Sequence, residues 1–489
     1  MHRRTKIVVT LGPASEDRHT MERLIKAGAN VVRFNFSHGS HEEHAARLKL
    51  LREVSRDLER PVTAVQDLQG PKIRTGELVD DSVFLEQGQT LTLTTEPIAG
   101  DEKRISVDFP DLPSSVQPGG RILLDDGNLE LVVVSVEETE IKTKVVLGGE
   151  LRPHKGVNIP GAKLNIPSFT DKDERDLSFG LEIEMDAVAM SFIRTPDDVI
   201  RVRQTIERLK PDKKSTPIIA KLERPEALDN LQEIIKVADG VMVARGDLGV
   251  ELSPEIVPIA QKQIIETANR FAKVVITATQ MLDSMVNNPR PTRAEATDVA
   301  NAIFDGSDAV MLSGETAIGK YPIQAVEMMD AIIRQAEDKL MRWGHWDGQL
   351  GETASEQVAL GGMTHIDSVY ITQAARDIAD ARDVAAIAVF TQTGRTAHLM
   401  AKARPRAPIL AFTPSETTYR QLPMLWGVFP HLVPFSNTLE AMLEVVEKTM
   451  VAETPIQPGH QVVLISGFPV GAMRPPNIVL LHTIGEDKK

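Results

Sequence analysis

Residues 217–248, PIIAKLERPEALDNLQEIIKVADGVMVARGDL, hold one complete strand–helix–strand unit. "PIIAKLE" is a short apolar run that closes on two charged residues, Lys221 and Glu223. "RPEALDNLQEIIKVA" then spaces its apolar positions for a helix, and "GVMVARGDL" is apolar again as far as Arg245 and Asp247. Two continuous apolar strands joined by a helix predict parallel strands buried on both faces. The alternation continues in both directions. Strands are expected at "KIVVTLG", "NVVRFNFS", "PVTAVQDL", "DAVAMSFI", "VVITATQ" and "DAVMLSG", with helices such as "HEEHAARLKLLREVSRDLER" and "TPDDVIRVRQTIERLK" between them. Eight strands and eight helices predict an α/β fold, the (β/α)₈ TIM barrel. Its rival, a doubly wound open sheet, usually has fewer strands and a glycine-rich first turn, which "TLGPAS" is not.

One interruption breaks the rhythm. From "AVQDLQGPKIRTG" (residues 64–76) onward the chain is rich in Val, Thr and Glu with turns such as "PGG" and "DDGN", which predicts an inserted β-barrel-like domain over residues 70–167. The chain leaves at Gly70-Pro71 and returns through "KGVNIPGAKLNIP", so two hinge-like joints frame a body able to close over the barrel mouth as a lid. The barrel then takes residues 1–69 and 168–345. Beyond "RWGHWDGQLGETAS", strands at "AAIAVF", "PILAFTP", "VVLISGF" and "NIVLLHTI" and helices such as "TLEAMLEVVEKTMVAE" predict a separate C-terminal α/β domain over 346–489.

Composition narrows the chemistry. No cysteine is present, which excludes disulfides, thiolate metal sites and cysteine nucleophiles, so any metal here is a hard cation held by oxygen. A formal net charge of −14 argues against nucleic acid as a partner, and no apolar run is long enough to span a membrane. "MHRRTKIVVTLGPAS" passes from a basic tip straight into a strand with no apolar leader, so a cytoplasmic location is expected.

Barrel enzymes carry their active groups at the C-terminal ends of the strands. Here those ends hold Arg33, Asn35 and Ser37, then Asp67, then Lys221 and Glu223, then Arg245, Gly246 and Asp247, then Thr277 and Thr279, then Ser313 and Glu315. Glu223 and Asp247 come from neighbouring strands and suit one Mg²⁺ or Mn²⁺ through oxygen, with Lys221 on the same strand face as Glu223. Taken singly, a Lys or Glu at a strand end is most often an exposed ion pair. Asp67, Lys72 and Arg74 around Gly70-Pro71 likewise read as a solvated turn or as the rim of an ionic site. Convergence on one mouth, with "RGDLG" offering backbone N–H donors, favours an anion-handling site. His38, His41 and His44 straddle a helix start and read as a capping region. "GETAIGKY" (314–321) has a P-loop frame but puts Tyr321 where a hydroxyl must ligate Mg²⁺, which argues against a P-loop NTPase.

These residues resemble the pyruvate kinase family over nearly the whole chain. "RFNFSHG", "GPKIRTG", "KGVNIPG", "KLERPEAL", "VARGDLGVE", "ATQMLDSM" and "PTRAEATDVANAIFDGSDAVMLSGETAIGKYP" stand in that family's order and spacing. The resemblance implies transfer of the phosphoryl group of phosphoenolpyruvate to ADP, giving pyruvate and ATP in the last step of glycolysis, by a cytoplasmic homotetramer that uses Mg²⁺ or Mn²⁺. It implies that Glu223 and Asp247 hold the divalent ion and that backbone N–H groups around Gly246 and Asp247 bind the substrate carboxylate. Arg33 would clamp the phosphoryl group, and Lys221 would neutralise charge on it and on the developing enolate. Thr279 would lie near the carbon that is protonated, with direct donation and a water route toward Ser313 and Glu315 both open. Asn35, Arg74 and Lys155 would reach the nucleotide phosphates.

Two details set this chain apart within the resemblance. Many members hold a K⁺ ion through residues matching Asn35, Ser37 and Asp67 and a threonine oxygen, whereas this chain has Leu68 at the threonine position and Lys72 where those members carry glutamate. That resembles a branch in which K⁺ is not required and the Lys72 ammonium takes its place; the plain alternative is a surface lysine paired with Glu77 or Asp80. "TQTGRT", with Thr391, Thr393, Gly394, Arg395 and Thr396, opens a helix and resembles the family's sugar-phosphate effector loop. The facing segment reads "GFPVGAMRPPN", with Arg474, Pro475 and Pro476 where the family often has Gly and Thr, which argues against fructose 1,6-bisphosphate. A sugar monophosphate, AMP or no effector stays open. Two rival functions exist. A barrel lyase or aldolase leaves the hinged insertion and its two bases unexplained, and a non-catalytic phosphometabolite sensor leaves Lys221, Glu223, Asp247 and Thr279 unexplained.

Overall fold

The structure, a computed structural model, describes residues 3–162, 166–340, 344, 363–472 and 474–485. The expected join at 345/346 lies outside the described residues, as do residues 163–165 of the returning hinge segment.

Three strands open the chain: β1 (Lys6–Thr10), β2 (Val31–Asn35) and β3 (Thr63–Leu68). β1 and β3 are buried throughout and β2 at its three apolar positions, as strands covered on both faces must be. Between β2 and β3, Ser40 caps the helix His41–Asp57 in a capping box with Glu43, His44 stacks on Phe36 with ring centroids 4.1 Å apart, and His41 pairs with Asp176. The three histidines therefore serve a helix start. Past β3 the backbone turns at Gly70 with φ 69°, and a Cβ there would lie 2.8 Å from the Phe192 ring. Only glycine fits that corner.

The insert follows, with β4 (Val83–Leu85), β5 (Thr90–Thr94), β6 (Arg104–Ser106), β7 (Arg121–Leu124), β8 (Leu129–Val136), β9 (Glu140–Leu147), β10 (Gly149–Leu151) and β11 (Val157–Asn158). Six of these pair in the order β11-β7-β8-β9-β5-β6, and β10 pairs with β4 as a ribbon. Leu85, Leu91, Leu93, Ile105, Leu124 and Ile141 belong to a core of the insert's own, so it is packed as a body in its own right.

The barrel resumes with β12 (Ala187–Met190), β13 (Ile218–Leu222), β14 (Gly240–Ala244), β15 (Val274–Ala278) and β16 (Ala309–Leu312), and closes in the order β1-β16-β15-β14-β13-β12-β3-β2. Two local expectations change. β14 stops at Ala244, and Arg245–Glu251 wind into a short helix because burial recurs at Leu248 and Glu251, a helical spacing. The segment after β13 forms two helices, Pro225–Asp229 and Leu231–Val237, broken at Asn230, whose amide donates to the carbonyls of Arg194 and Glu226.

The C-terminal sheet holds β17 (Ala386–Phe390), β18 (Ile409–Thr413), β19 (Val428–Leu432), β20 (Gln461–Ser466) and β21 (Ile478–Thr483), in the order β19-β18-β17-β20-β21 with β21 antiparallel. β19 escapes the sequence pattern because it is a half-exposed edge strand containing Pro430, and an edge is where a sheet tolerates proline. One apolar cluster runs from Val8, Val65, Ile219 and Ile276 in the barrel to Ile387 and Leu422 in this domain. No helix among the described residues is long and apolar enough to cross a membrane.

Candidate active site

At the barrel mouth the strand ends meet in one charged cluster. The Lys221 ammonium lies 2.9 Å from Glu223 Oε1 and 3.2 Å from Asp67 Oδ1, and donates to Ser191 Oγ at 2.6 Å. Arg33 donates through Nε to Asp67 Oδ2 at 2.5 Å and through Nη1 to Thr10 Oγ1 at 3.2 Å. The Phe192 N–H donates to Glu223 Oε2 at 2.7 Å. Burial opposes every charge here. It would lower Lys221, but Asp67 and Glu223 hold the ammonium well above the ordinary lysine value. It would raise Asp67, but Lys221 and Arg33 keep that carboxylate below its usual range. For Glu223 burial wins: the carboxyl is pushed up to about 7, with Lys221 opposing and Asp247 adding to the rise. Asp67, Glu223 and Asp247 outnumber Lys221 and Arg33, so one acid is left under-neutralised.

Around this cluster the backbone is strained. Thr279 and Gln280, after β15, have φ 68° and 53°, and Phe192, after β12, has φ 56°. A β-branched or aromatic residue in that region is a true outlier, and such outliers gather at functional sites. Arg245 braces the turn by donating to the Ala278 and Thr279 carbonyls while pairing with Asp298 at 2.7 Å. Thr279 Oγ1 accepts the Gly246 N–H at 2.7 Å, so that donor is engaged within the chain. The Glu315 carboxylate, raised by burial, accepts the N–H groups of Ser313 at 2.7 Å and Leu282 at 3.0 Å. Thr277 is buried and bonded to Ser307.

The two hinge strands are zipped together. Arg74 bridges Gly156 in antiparallel register, and the Val157 N–H donates to Ile73 O at 2.9 Å. Arg74 Nη1 donates to His154 O at 2.9 Å, and Lys155 pairs with Asp125 at 2.7 Å. Lys72 lies 3.7 Å from Asp126; Glu77 pairs instead with His154, so the surface pair imagined for Lys72 has different partners. Lys72 and Asp247 line the same narrow cleft, of 40 Å³. His38 is held below its ordinary value by burial and then by Arg74, Lys72 and Arg33, which marks those cations as neighbours. Asn35 Oδ1 accepts the Ser37 N–H at 3.2 Å, and the intervening Phe36 N–H donates to Asp67 O at 3.0 Å.

Thr10 and Ser191 end strands like the others, and the strand-end rule was enough to find them, yet the sequence reading passed over both. Arg224, Glu251 and Asn158 carry no such signal. Arg224 Nη1 pairs with Glu251 Oε1 at 2.8 Å, and Asn158 of the insert donates to the same oxygen at 3.0 Å.

In the C-terminal domain Thr391–Thr396 opens the helix Arg395–Lys402, with Gly394 as cap at φ 82° and its N–H donated to Thr391 Oγ1 at 3.0 Å. Thr391, Thr393, Arg395 and Thr396 line a 240 Å³ cavity closed by Arg474 and Pro475.

Among the described residues no group of three or more His, Cys, Asp or Glu side chains forms a metal cage. Mg²⁺ accepts one or two carboxylates completed by water and substrate oxygens, so the under-neutralised Glu223 with Asp247 fits a shared hard cation.

A (β/α)₈ barrel that gathers a lysine, an arginine and surplus carboxylates at its mouth, beneath a hinged β insert, is the frame of a phosphotransferase acting on anionic substrates. The chain matches the models described as pyruvate kinase, barrel domain over residues 2–326 and pyruvate kinase, alpha/beta domain over residues 370–482. It belongs to the pyruvate kinase family. Its relatives include the pyruvate kinase of Geobacillus stearothermophilus, 44% identical over 488 residues, covering 99% of this chain and 81% of that protein. That of Staphylococcus haemolyticus is 43% identical over 487 residues with the same coverage. Pyruvate kinase 2 of Synechocystis sp. is 44% identical over 490 residues, covering 99% of this chain and 79% of that protein.

Proposed function

We propose that this chain transfers the phosphoryl group of phosphoenolpyruvate to ADP, giving pyruvate and ATP. The observation that carries this is the buried Lys221 ammonium between Asp67 and Glu223, with Arg33 alongside and two further cations on the hinge. Arg33 binds the phosphoryl group. Lys221 sits where negative charge grows on the phosphoryl and enolate oxygens, so it acts on the transition state. Glu223 and Asp247 hold a divalent cation, Mg²⁺ or Mn²⁺, which when bound neutralises substrate carboxylate and phosphoryl oxygens. Asp247 offers its backbone N–H to the carboxylate, joined by that of Gly246 once Thr279 Oγ1 gives it up, and Thr279 stands by the carbon to be protonated. Arg74, Lys155 and Asn35 meet the nucleotide phosphates, and closure of the insert excludes water.

Residues 1–69 with 168–345 form the catalytic unit in this proposal, 70–167 the lid and 346–489 the regulatory unit, with the loop Thr391–Thr396 taking a sugar phosphate or AMP. Lys72 replaces K⁺; its place on the cleft of Asp247 and the buried, oxygen-free Leu68 support this. A cytoplasmic homotetramer is part of the same proposal, supported by family membership. The test is pyruvate formation from phosphoenolpyruvate with Mg²⁺, with and without ADP. Strict dependence on ADP is expected, and equal pyruvate formation without it would replace phosphoryl transfer by hydrolysis.

A further inference from the structure

Ser191 stands directly after β12 and is buried, 2% exposed, among the strand ends that carry the charged groups of the mouth. Its hydroxyl has one hydrogen, and that hydrogen goes to the Leu68 carbonyl at 2.7 Å. The lone pairs of the oxygen are therefore turned away from Leu68, and one of them takes an N–H of Lys221 at 2.6 Å. The hydroxyl is an acceptor of fixed direction, set by the end of β3 and used by β13.

The carboxylates around Lys221 act differently. Glu223 Oε1 at 2.9 Å and Asp67 Oδ1 at 3.2 Å attract the ammonium by charge, and Asp67 Oδ1 has no hydrogen-bond partner among the described residues. Charge attraction falls slowly with distance and has no preferred angle, whereas a hydrogen bond weakens steeply as it bends. The two acids keep the ammonium in the pocket, and Ser191 decides where in the pocket it lies. The difference matters most when the site fills. In the proposed reaction Glu223 turns to a divalent cation, and Asp67 is shared with Arg33, which binds the phosphoryl group. Both charge contacts change as substrates arrive, while the bond to a neutral hydroxyl has no charge to lose.

The next residue completes the corner. Phe192 holds φ 56°, and its N–H meets Glu223 Oε2 at 2.7 Å. Such a conformation persists only where its surroundings fix it. One strained corner therefore places Lys221 through a side chain and Glu223 through the backbone. Gly70, where the insert leaves the barrel, packs directly on it, since a Cβ there would lie 3.1 Å from Ser191 Cβ.

We propose that Ser191 is a positioning residue for phosphoryl transfer: its hydroxyl, oriented by the Leu68 carbonyl, fixes the Lys221 ammonium for the transition state while Glu223 is engaged elsewhere. The effect on turnover rests on the function proposed above, and the hold on Lys221 rests on the contacts alone.

The test is a double-mutant cycle of Ser191→Ala and Lys221→Met on the full chain. It is read by steady-state kinetics with phosphoenolpyruvate, ADP and Mg²⁺, and by melting temperature with neither substrate nor metal. Ser191→Ala should lower kcat by about tenfold and leave KM for phosphoenolpyruvate within about threefold, because a misplaced ammonium acts on the transition state while Arg33 still binds substrate. With Lys221→Met already present, the same change should leave kcat within about twofold, because Ser191 acts through that lysine. Ser191→Ala should also lower the melting temperature, and by less once Lys221 is gone. If Lys221→Met fails to fold, the split between kcat and KM in Ser191→Ala decides. Unchanged kcat in Ser191→Ala, or equal losses of kcat and of melting temperature in both backgrounds, overturns the positioning role and leaves Ser191 a packing residue. A chain that makes no pyruvate yet shows the non-additive melting temperatures sustains the hold on Lys221 and overturns the phosphotransferase function instead.

Discussion

Lys221 is balanced by Asp67 and Glu223 before any substrate arrives, so its removal leaves two buried carboxylates without their shared cation. Lys221→Met therefore needs two readouts. Its kcat should fall by about 10²-fold or more, the scale of losing one oriented oxyanion partner. Phosphoenolpyruvate should still raise its melting temperature, because Arg33 and the backbone donors remain. Near-normal kcat would remove Lys221 from the chemistry. Lys72 makes a second test at this scale. A unit charge at about 4 Å and an effective dielectric of about 20 contributes roughly 4 kcal/mol at most. The Lys72 side chain is 29% exposed, so solvent takes part of that and the effect should be about 10- to 100-fold. Activity should be nearly full in Na⁺-only or Tris buffer. Leu68→Thr with Lys72→Glu should lose activity and recover part of it with K⁺. An unmodified enzyme that stays nearly inactive until K⁺ is added would leave Lys72 as a turn residue alone.

At the scale of elements, the insert is tied to the barrel by Asn158 of β11, which shares the Glu251 carboxylate with Arg224. Arg224 follows Glu223 directly, and Glu251 ends the helix that contains Asp247, so the tie touches both metal-side elements. Asn158→Ala deletes one charge-assisted bond, worth about 1.5–3 kcal/mol in a buried setting. It should lower kcat by about tenfold and speed hydrogen exchange at the Val157 amide. Unchanged exchange and unchanged kcat together would show that the tie is idle. The tie also marks where sequence stops being informative, since Asn158 and Glu251 stand 93 residues apart and nothing in the local pattern of either points to the other. The eight barrel strands were legible because burial on both faces leaves long apolar runs ending in charge. The Thr279 turn was not: its φ is positive although no glycine stands there, and it is held by the carbonyl contacts of Arg245 and by the Gly246 N–H on Thr279 Oγ1. β19 was hidden for the opposite reason, since an edge strand needs neither full burial nor every N–H.

Across the whole molecule, the barrel floor and the C-terminal domain share one apolar cluster, and the charges along that seam are mostly paired. Asp308 is held between Lys402 and Arg404, and Asp186 between Arg52 at 2.8 Å and Arg420 at 3.1 Å. Lys6 is different. Its ammonium donates to Val428 O at 2.6 Å and lies 4.8 Å from the Phe429 ring, with no ion pair among the described residues. Burial pushes it down to about 7, with Arg3 adding to the fall and Glu337 opposing. A base held low binds fewer protons in the folded chain than in the unfolded one, so stability rises with pH from about 7 toward the ordinary 10.5. At about 1.4 kcal/mol per pH unit, the gain between pH 7.5 and 9 is at most about 2 kcal/mol from this group. Lys402, pushed by burial to about 8 against the pull of Asp308, adds in the same direction at the upper end. The melting temperature should therefore climb over that interval. Lys6→Met keeps the apolar stem, removes the charge and leaves the Val428 carbonyl short of one donor. It should melt higher than the unmodified chain at pH 7.5, with an advantage that shrinks by pH 9 because taking the proton off the buried lysine costs less as the pH rises toward the ordinary lysine value. Parallel melting profiles for the two proteins across that range would mean that Lys6 keeps an ordinary ammonium in the seam, and that its burial costs the fold nothing.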